Sequence, residues 1–427
     1  MTTNSSSLHN LSRRIISGSL SGVGICLESN WQTVGIILEY IKKGVPACML
    51  STQWPGAAVD QALDQLGITN VVTKRKDLKT SRIDPDSYDT NCVDYPEIHT
   101  GSDKIATILH TSGSSGGPKA VAHTLDNHIA SAKSTCSELN LGSNDRWLLN
   151  LPLWHVSGMS IIFRCLMSGA KIIIPDPDMP LLEALFAHKI THVSMVAAQL
   201  MQVIDQPPPA SLRAAIVGGG PTPHHILDQG IKRGWPIRTT YGMTETSSMV
   251  TLSDKKFPDG SSGHTLQGNE IKIAKDGEIL IRSPAVCLGY LHGDSVQSAV
   301  DNDGWLHTGD LGKLDPTGQL YVLGRKDNMF ISGGENISPE EIEQVLHTFP
   351  RVQESIVVPV PDSRFGERPV AFIRGCSDFD GLTHFLAQHL PKFKIPVFYS
   401  WPTEIPSTSL KHNRKSLTNL AIRLQNT

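Results

Sequence analysis

The run TSGSSGGPK, Thr111 to Lys119, gathers hydroxyls, glycines and one lysine between two apolar stretches. Gly113, Gly116 and Gly117 let successive backbone N–H groups converge, the hydroxyls of Thr111, Ser112, Ser114 and Ser115 add donors, and Lys119 adds a charge. That is the chemistry of a phosphate cradle. A loop of the GxxxxGK[ST] kind is excluded, because Pro118 precedes the lysine and Ala120 follows it. Taken alone, the run also suits a plain flexible surface loop. A second group of reactive types lies at TTYGMTETSS, where Thr240, Tyr241, Gly242, Thr244 and Glu245 are near neighbours. A triple glycine, Gly218, Gly219 and Gly220, closes the apolar run AAIV, where missing side chains admit a flat ligand to the backbone or simply form a turn.

These groups need elements to hold them. KIATILH and AVAH flank the first loop and read as strands. Up to about Gln267, helical patterns (NWQTVGIILEYIKKG, LLEALFAHKI, VSMVAAQLMQVI) alternate with short β-rich runs (KIIIP, AAIVGGG, PIRTTYG), the signature of α/β layers. Beyond it, NEIKIAKDGEILIRSP and LGKLDPTGQLYVLGR each read strand, turn, strand, which predicts an antiparallel region. ENISPEEIEQVLHTFP predicts a helix with Ser338 as N-cap, Pro339 in the first turn and Glu341 completing a capping box. ESIVVPV and PVAFIRG supply strands to the remainder of the chain. The expected fold is α/β: a large N-terminal domain of layered α/β subdomains plus a β-rich subdomain, residues 1–325, then a small mobile α+β C-terminal domain, residues 326–427.

Size and composition agree with an enzyme. A chain of 427 residues suits two or three lobes with a site between them. Hydrophobic residues at 39%, charged residues at 19% and a net charge of -3 lack the basic field and basic-aromatic interleaving that nucleic acid requires. The seven cysteines, Cys26, Cys48, Cys92, Cys136, Cys165, Cys287 and Cys376, include no CxxC pair, which points to a reducing compartment and no structural zinc. Arg13 and Arg14 lead into IISGSLSGVGIC, too rich in Gly and Ser for a signal-peptide core. MSIIFRCLMSGAKIIIP is broken by Arg164 and Lys171 short of membrane-spanning length. The expectation is a cytoplasmic enzyme of small molecules without stable membrane insertion, compatible with a homo-oligomer.

The motifs fall in one order. TSGSSGGPK, YGMTETSS, GWLHTGDLG, GRKDNMFISGGENISPEEIE and a lysine-bearing terminal segment resemble the adenylate-forming acyl-CoA synthetases, the superfamily of firefly luciferase and peptide-synthetase adenylation domains, over Thr111 to Leu417. One conservative departure is Ser115, where that family usually carries Thr. The resemblance implies two half-reactions: a carboxylate attacks the α-phosphorus of ATP to give acyl-AMP and pyrophosphate, and coenzyme A then displaces AMP. Both gather negative charge, so the site needs cations and aimed donors.

The same resemblance implies roles. The loop Thr111, Ser112, Gly113, Ser114, Ser115, Gly116 and Lys119 would hold phosphates. Gly218 to Gly220 and Thr240 to Gly242 would border adenine, with Tyr241 against it, Thr244 beside the α-phosphate, and Glu245 as the carboxylate for Mg2+, a hard cation. Asp310 would take the ribose hydroxyls, Arg325 would reach the nucleotide, and Asp327 would be the hinge. Rotation of the C-terminal lobe would bring first a lysine, then the loop Ser332 to Asn336 with Gly333, Gly334 and Glu335, to the site. The family pattern P-x-T-x-x-GK-x-x-R-x-x-L meets IPSTSLKHNRKSL here. Aligning Arg414 and Leu417 puts Lys411 at the catalytic position, with one residue fewer after Pro406 and Leu410 in place of Gly; Lys415 is the alternative.

LPLWHVSGMSIIFRCLMSGAKI and SLRAAIVGGGPTPHHILDQGIKRGWPIRTTYGMTETSS are most similar to the branch that activates o-succinylbenzoate, an aromatic acid of menaquinone and phylloquinone biosynthesis. That branch implies an acyl pocket bordered by Trp154 and His155, kept open by Ser157 and Gly158, with Arg164 meeting the second carboxylate. His155 joins Lys411, Thr244 and Glu245 as a catalytic candidate. As bare residues, Arg164 also fits a solvent-facing helix and His155 a satisfied core histidine. The rival readings are another aryl or medium-chain fatty acyl-CoA ligase, a carrier-loading adenylation domain, and a noncatalytic nucleotide-binding homologue.

Overall fold

Short apolar runs become the inner strands of two sheets, and the longer amphipathic ones become helices between them. The computed structural model describes residues 14–15, 22–88, 104–111, 119–254, 260–293, 295–402 and 414–425; Ser112 to Gly116 and Lys411, expected in the site, lie outside these. The first sheet has nine strands, ordered Arg14–Ile15, Ser295–Ser298, Gly289–His292, Lys119–Thr124, Ile105–Thr111, Ala47–Met49, Val23–Ile25, Asn70–Val72 and Ser81–Ile83. It is parallel from Ile105–Thr111 to Ser81–Ile83 and antiparallel on the other side. The second has five parallel strands, ordered Ile237–Thr239, Ala214–Val217, His192–Met195, Arg146–Leu148 and Lys171–Ile173.

Helices Trp31–Lys42, Leu125–Leu139 and Val156–Ser168 fill the space between these sheets. Ile36, Ile161 and Phe163 from the helices meet Ile25 and Met49 of the first sheet and Trp147 and Ile216 of the second in one buried core. Local chemistry sets the ends: Asn30 accepts from the Thr33 N–H at 2.8 Å, Thr124 and Asn127 cap each other, and Gly169 closes the last helix at φ 73°. A third, six-stranded antiparallel sheet carries Leu306–Leu314 beside Gln319–Arg325. After Arg325 the chain enters a separate sheet of Glu335–Ile337, Phe330–Ser332, Gly366–Arg374 and Glu354–Asp362, with Val397–Ser400 joining Gly366–Arg374. Among the described residues no helix is long and apolar enough to cross a membrane.

Two local expectations are corrected. VSMVAAQLMQVI is not one helix: its first residues belong to strand His192–Met195 and only Ala197–Val203 is helical. His192 and Ser194 do alternate with Val193 and Met195, but four residues are too short a run to show a period of two against the longer apolar run that follows. The helix Pro339–Leu346 starts as expected, with Ser338 at its N-cap and Pro339 in its first turn, directly after strand Glu335–Ile337. Its capping box does not form, because Ser338 bonds the Glu340 carboxylate at 3.3 Å and Glu341 pairs with Lys394 from another element.

Three histidines are sealed in this fold and a fourth, His347, is half-buried. Burial lowers His123, His192 and His347 to about 4 and takes His128 well below its ordinary value. Each is neutral when folded and takes up a proton when unfolded, so the stability they support is complete above about pH 6.5 and is lost as pH falls toward 4. His307 is shifted upward: Glu278 and Asp301 outweigh its desolvation, but solvent screens this exposed group. The urea midpoint, followed by tryptophan fluorescence, should therefore hold from pH 7.5 to about pH 6.5 and drop from there to pH 5. A flat midpoint over that range contradicts neutral burial of the four rings.

Candidate active site

Residues 240–250 form the piece on which the candidate groups converge. Gly242–Met243 pairs with Ser248–Met249 around a one-turn 3-10 helix, Thr244–Thr246. A Cβ on Gly242 would lie 2.1 Å from the Ser248 carbonyl oxygen, so only glycine permits this approach. The return strand is reached through Ser247 at φ 53° and Ser248 at φ 135°, backbone conformations that side-chain-bearing residues adopt at a cost.

Tyr241, Asp310 and Arg325 meet at one end of this hairpin. The Tyr241 hydroxyl donates to Asp310 Oδ2 at 2.6 Å, and Arg325 donates to Asp310 Oδ1 at 2.9 Å and to the Thr308 carbonyl at 3.1 Å. Cross-strand register sets this pair, since Asp310 faces Arg325 directly. Burial and the adjacent Asp310 push the Tyr241 phenol far above its ordinary pKa, so it stays a donor. Desolvation works against the Arg325 charge, yet Asp310 and Asp327 outweigh it. Gly218 has a packing reason: a Cβ there would lie 2.6 Å from Thr240 Cγ2. Gly219 turns the chain at φ 82°.

At the other end, Thr111 and Lys119 stand opposite each other at the mouth of the strand pair that flanks the Ser/Gly loop. Lys119 Nζ lies 5.2 Å from the ring centre of Tyr290, whose hydroxyl donates to Glu245 Oε1 at 3.0 Å. Tyr290 thus stands between the lysine and the carboxylate. Sequence reading does not single it out; the signal present is a tyrosine after a glycine in an apolar run, with its partner 45 residues away. His123 is equally silent in the sequence: its Nε2 donates to the Thr244 carbonyl at 2.7 Å from full burial. Glu245 is buried and one of its two oxygens takes the tyrosine, which fits a single carboxylate ligand for a cation that arrives with phosphate oxygens.

The acyl candidates sit around helix Val156–Ser168. His155 is its N-cap residue, and Trp154 is buried in the core between the sheets. Gly158 is not there merely to leave space, because a Cβ would lie 2.3 Å from the Pro152 carbonyl oxygen. Ser157 is half-buried beside it, and its carbonyl accepts from Ser160 at 3.0 Å. Arg164 does not face solvent: it is 1% exposed, donates to Ser248 Oγ at 2.8 Å, and lies 5.1 Å over the Trp147 ring.

The hinge candidate Asp327 lies in the turn Lys326–Asn328, and Arg325 reaches it at 3.4 Å. Its neighbours hold opposite lobes: Lys326 pairs with Asp276 at 2.7 Å and Glu278 at 3.3 Å, while Asn328 donates to Glu340. Gly333 and Gly334, at φ 60° and 88°, turn the tight hairpin before Glu335 in the C-terminal sheet, with Gly333 N–H donating to Phe365 O at 2.8 Å. Arg414 forks onto Glu343 at 2.6 and 2.9 Å, and Lys415, beside it, is exposed.

Comparison with known proteins matches residues 15–291 to the AMP-binding enzyme family and residues 341–411 to the AMP-binding enzyme C-terminal domain. A 2-succinylbenzoate–CoA ligase from Bacillus cereus is 33% identical over 435 aligned positions, covering 93% of this chain and 88% of that protein. Its counterpart from Bacillus velezensis is 38% identical over 71% of this chain and 66% of that protein. A solved o-succinylbenzoate CoA synthetase from Bacillus subtilis, in complex with its acyl-adenylate intermediate, superimposes with TM-score 0.83 at 31% identity, covering 96% of this chain and 92% of that one. The same enzyme with ATP and magnesium ion matches at TM-score 0.83 and 32% identity, over 93% and 89% of the two chains.

Asp310 ties two side chains to one carboxylate. Asp310→Ala should release Tyr241 and Arg325 together and weaken AMP binding about 10- to 100-fold, the range of one or two charge-assisted bonds. Isothermal titration with AMP measures this, and unchanged affinity would remove Asp310 from the nucleotide site.

Proposed function

Since the chain belongs to the AMP-binding enzyme family, we propose that it is an ATP-dependent acid–thiol ligase that converts 2-succinylbenzoate to its coenzyme A thioester through an acyl-adenylate. The observation that carries this reading is the segment Thr240–Ser248. Its side chains reach, in turn, an Asp–Arg pair suited to a nucleoside, a tyrosine that lies against a lysine suited to phosphate, and a buried arginine suited to a second carboxylate.

In the first half-reaction, Tyr241, Asp310 and Arg325 hold the nucleoside while Thr111 and Lys119 draw the β- and γ-phosphates away from the α-phosphorus. Thr244, its carbonyl fixed by His123, presents its hydroxyl toward the α-phosphate. Glu245 would hold magnesium, which would supply positive charge to the phosphates. Lys411 supplies a cation to the oxygens that gain charge as the carboxylate adds; Lys415 is the alternative. We place the N-terminal domain at residues 1–325 and the lid at 326–427. The lid turns about Asp327 to exchange the lysine for the Ser332–Asn336 loop, which admits the thiol. Trp154, His155, Ser157 and Gly158 wall the aromatic ring. We assign the cytoplasm, in keeping with free thiols at Cys26, Cys48, Cys136, Cys165, Cys287 and Cys376.

Pyrophosphate release with ATP, magnesium and coenzyme A is the direct test, comparing 2-succinylbenzoate with benzoate and octanoate. Strong preference for the first is expected; turnover of the simpler acids alone would replace the substrate and keep the chemistry, and silence with all three would sink catalysis. Lys411→Ala should slow adenylation about 10²- to 10³-fold, the usual loss for one electrostatic stabiliser, while thioester formation from supplied acyl-adenylate persists. Equal loss in both steps would move the assignment away from Lys411.

A further inference from the structure

Arg164 is a fully buried guanidinium held by neutral groups. Its Nη2 donates to Ser248 Oγ at 2.8 Å, its Cζ lies 5.1 Å over the Trp147 ring, and its buried Nε has no partner. No aspartate or glutamate among the described residues pairs with it. Asp145, the carboxylate beside His192, is engaged by Arg213 at 2.7 Å. Trp147 is completely buried on strand Arg146–Leu148, and the His192 ring stacks on it at 5.3 Å and 27° from the neighbouring strand. Burial keeps that histidine neutral, with pKa lowered to about 4, so no second cation lies against the indole.

We propose that Trp147 is the positioning residue for Arg164, holding the guanidinium in place without neutralising it, so that the enzyme selects an acid with two carboxylates over an acid with one. The physical basis is that an indole face attracts a cation without cancelling its charge, most strongly where water is excluded. A carboxylate in the same place would pair with the arginine and leave nothing for the substrate. Ser248 supplies the second neutral contact, and its φ of 135°, enforced by the close approach of Gly242, keeps its hydroxyl aimed. Fixed by these two contacts, the arginine is a buried positive charge that an incoming anion completes. The inference rests on reading Arg164 as the partner of the second carboxylate.

The test compares Trp147→Leu and Trp147→Phe with the native enzyme, using 2-succinylbenzoate and the two mono-acids that each lack one of its carboxylates, 4-oxo-4-phenylbutanoate and 2-butanoylbenzoate. AMP affinity is measured first, because the nucleotide groups lie apart from Trp147; if the Leu variant has lost it, Trp147→Met replaces it. In the Leu variant, kcat/KM for the di-acid should fall about ten-fold through KM, while kcat, KM for ATP and the constant for whichever mono-acid reacts stay within about two-fold. Where neither mono-acid reacts, their inhibition constants take its place. The Phe variant, which keeps an aromatic face, should recover most of the loss. Equal losses for di-acid and mono-acid, or a Phe variant as impaired as the Leu variant, overturn the proposal. Arg164→Gln separates it from its premise: a preserved di-acid preference there defeats the reading of Arg164. Collapse there with preservation in Trp147→Leu defeats Trp147 alone.

Discussion

The site depends on one backbone constraint, the close contact between Gly242 and the Ser248 carbonyl across a hairpin of two-residue strands. To make it, the chain passes through Ser247 and Ser248 at positive φ, a cost of about 1–3 kcal/mol for each such residue. Many surrounding contacts hold it there. Ser247 donates to the Ala285 carbonyl at 2.8 Å, Thr246 to the Ser248 carbonyl at 2.7 Å, and Cys287 N–H to the Glu245 carbonyl at 2.8 Å. Relaxing the hairpin would release Tyr241, Glu245 and Ser248 from their three partners at once.

Charge is handled differently at its two ends. Around Tyr241, the arginine and aspartate are already paired, so a neutral ribose can exchange hydrogen bonds with them without leaving a bare ion. Around Ser248, the arginine is left without a carboxylate and its burial cost stands until an anion arrives. A paired ion suits a neutral ligand and an unpaired one suits a charged ligand. The two arginines held near this hairpin therefore differ in what they offer: one is already paired and the other is not.

The link between the lobes is built on the same economy of charge. Lys326 is bound to the turn between Glu270–Ile273 and Glu278–Arg282, whereas Asn328, two residues on, is bound to the first turn of helix Pro339–Leu346. Asp327 thus stands between two neighbours that are anchored to different sheets.

Much of this was legible from residues alone. Period and turn chemistry placed the strands around the Ser/Gly loop, the two antiparallel hairpins and most helices, because those signals are local. The order of the motifs carried the chemistry. What escaped was whatever depended on a partner far along the chain. The strand His192–Met195 looked helical because its four-residue alternation is too short to stand out from the apolar run that follows it, and Glu341 looked like a cap until Lys394 was brought beside it. Tyr290, His123 and Trp147 were silent for the same reason: an aromatic in an apolar run reads as core until folding sets a carboxylate, a carbonyl or a guanidinium against it. Sequence alone determined which groups the protein has for activating a carboxylate, since residue types and spacing are written there. Tertiary structure decided which of those charges are paired and which are left open, because pairing is a matter of distance between elements that sequence does not measure.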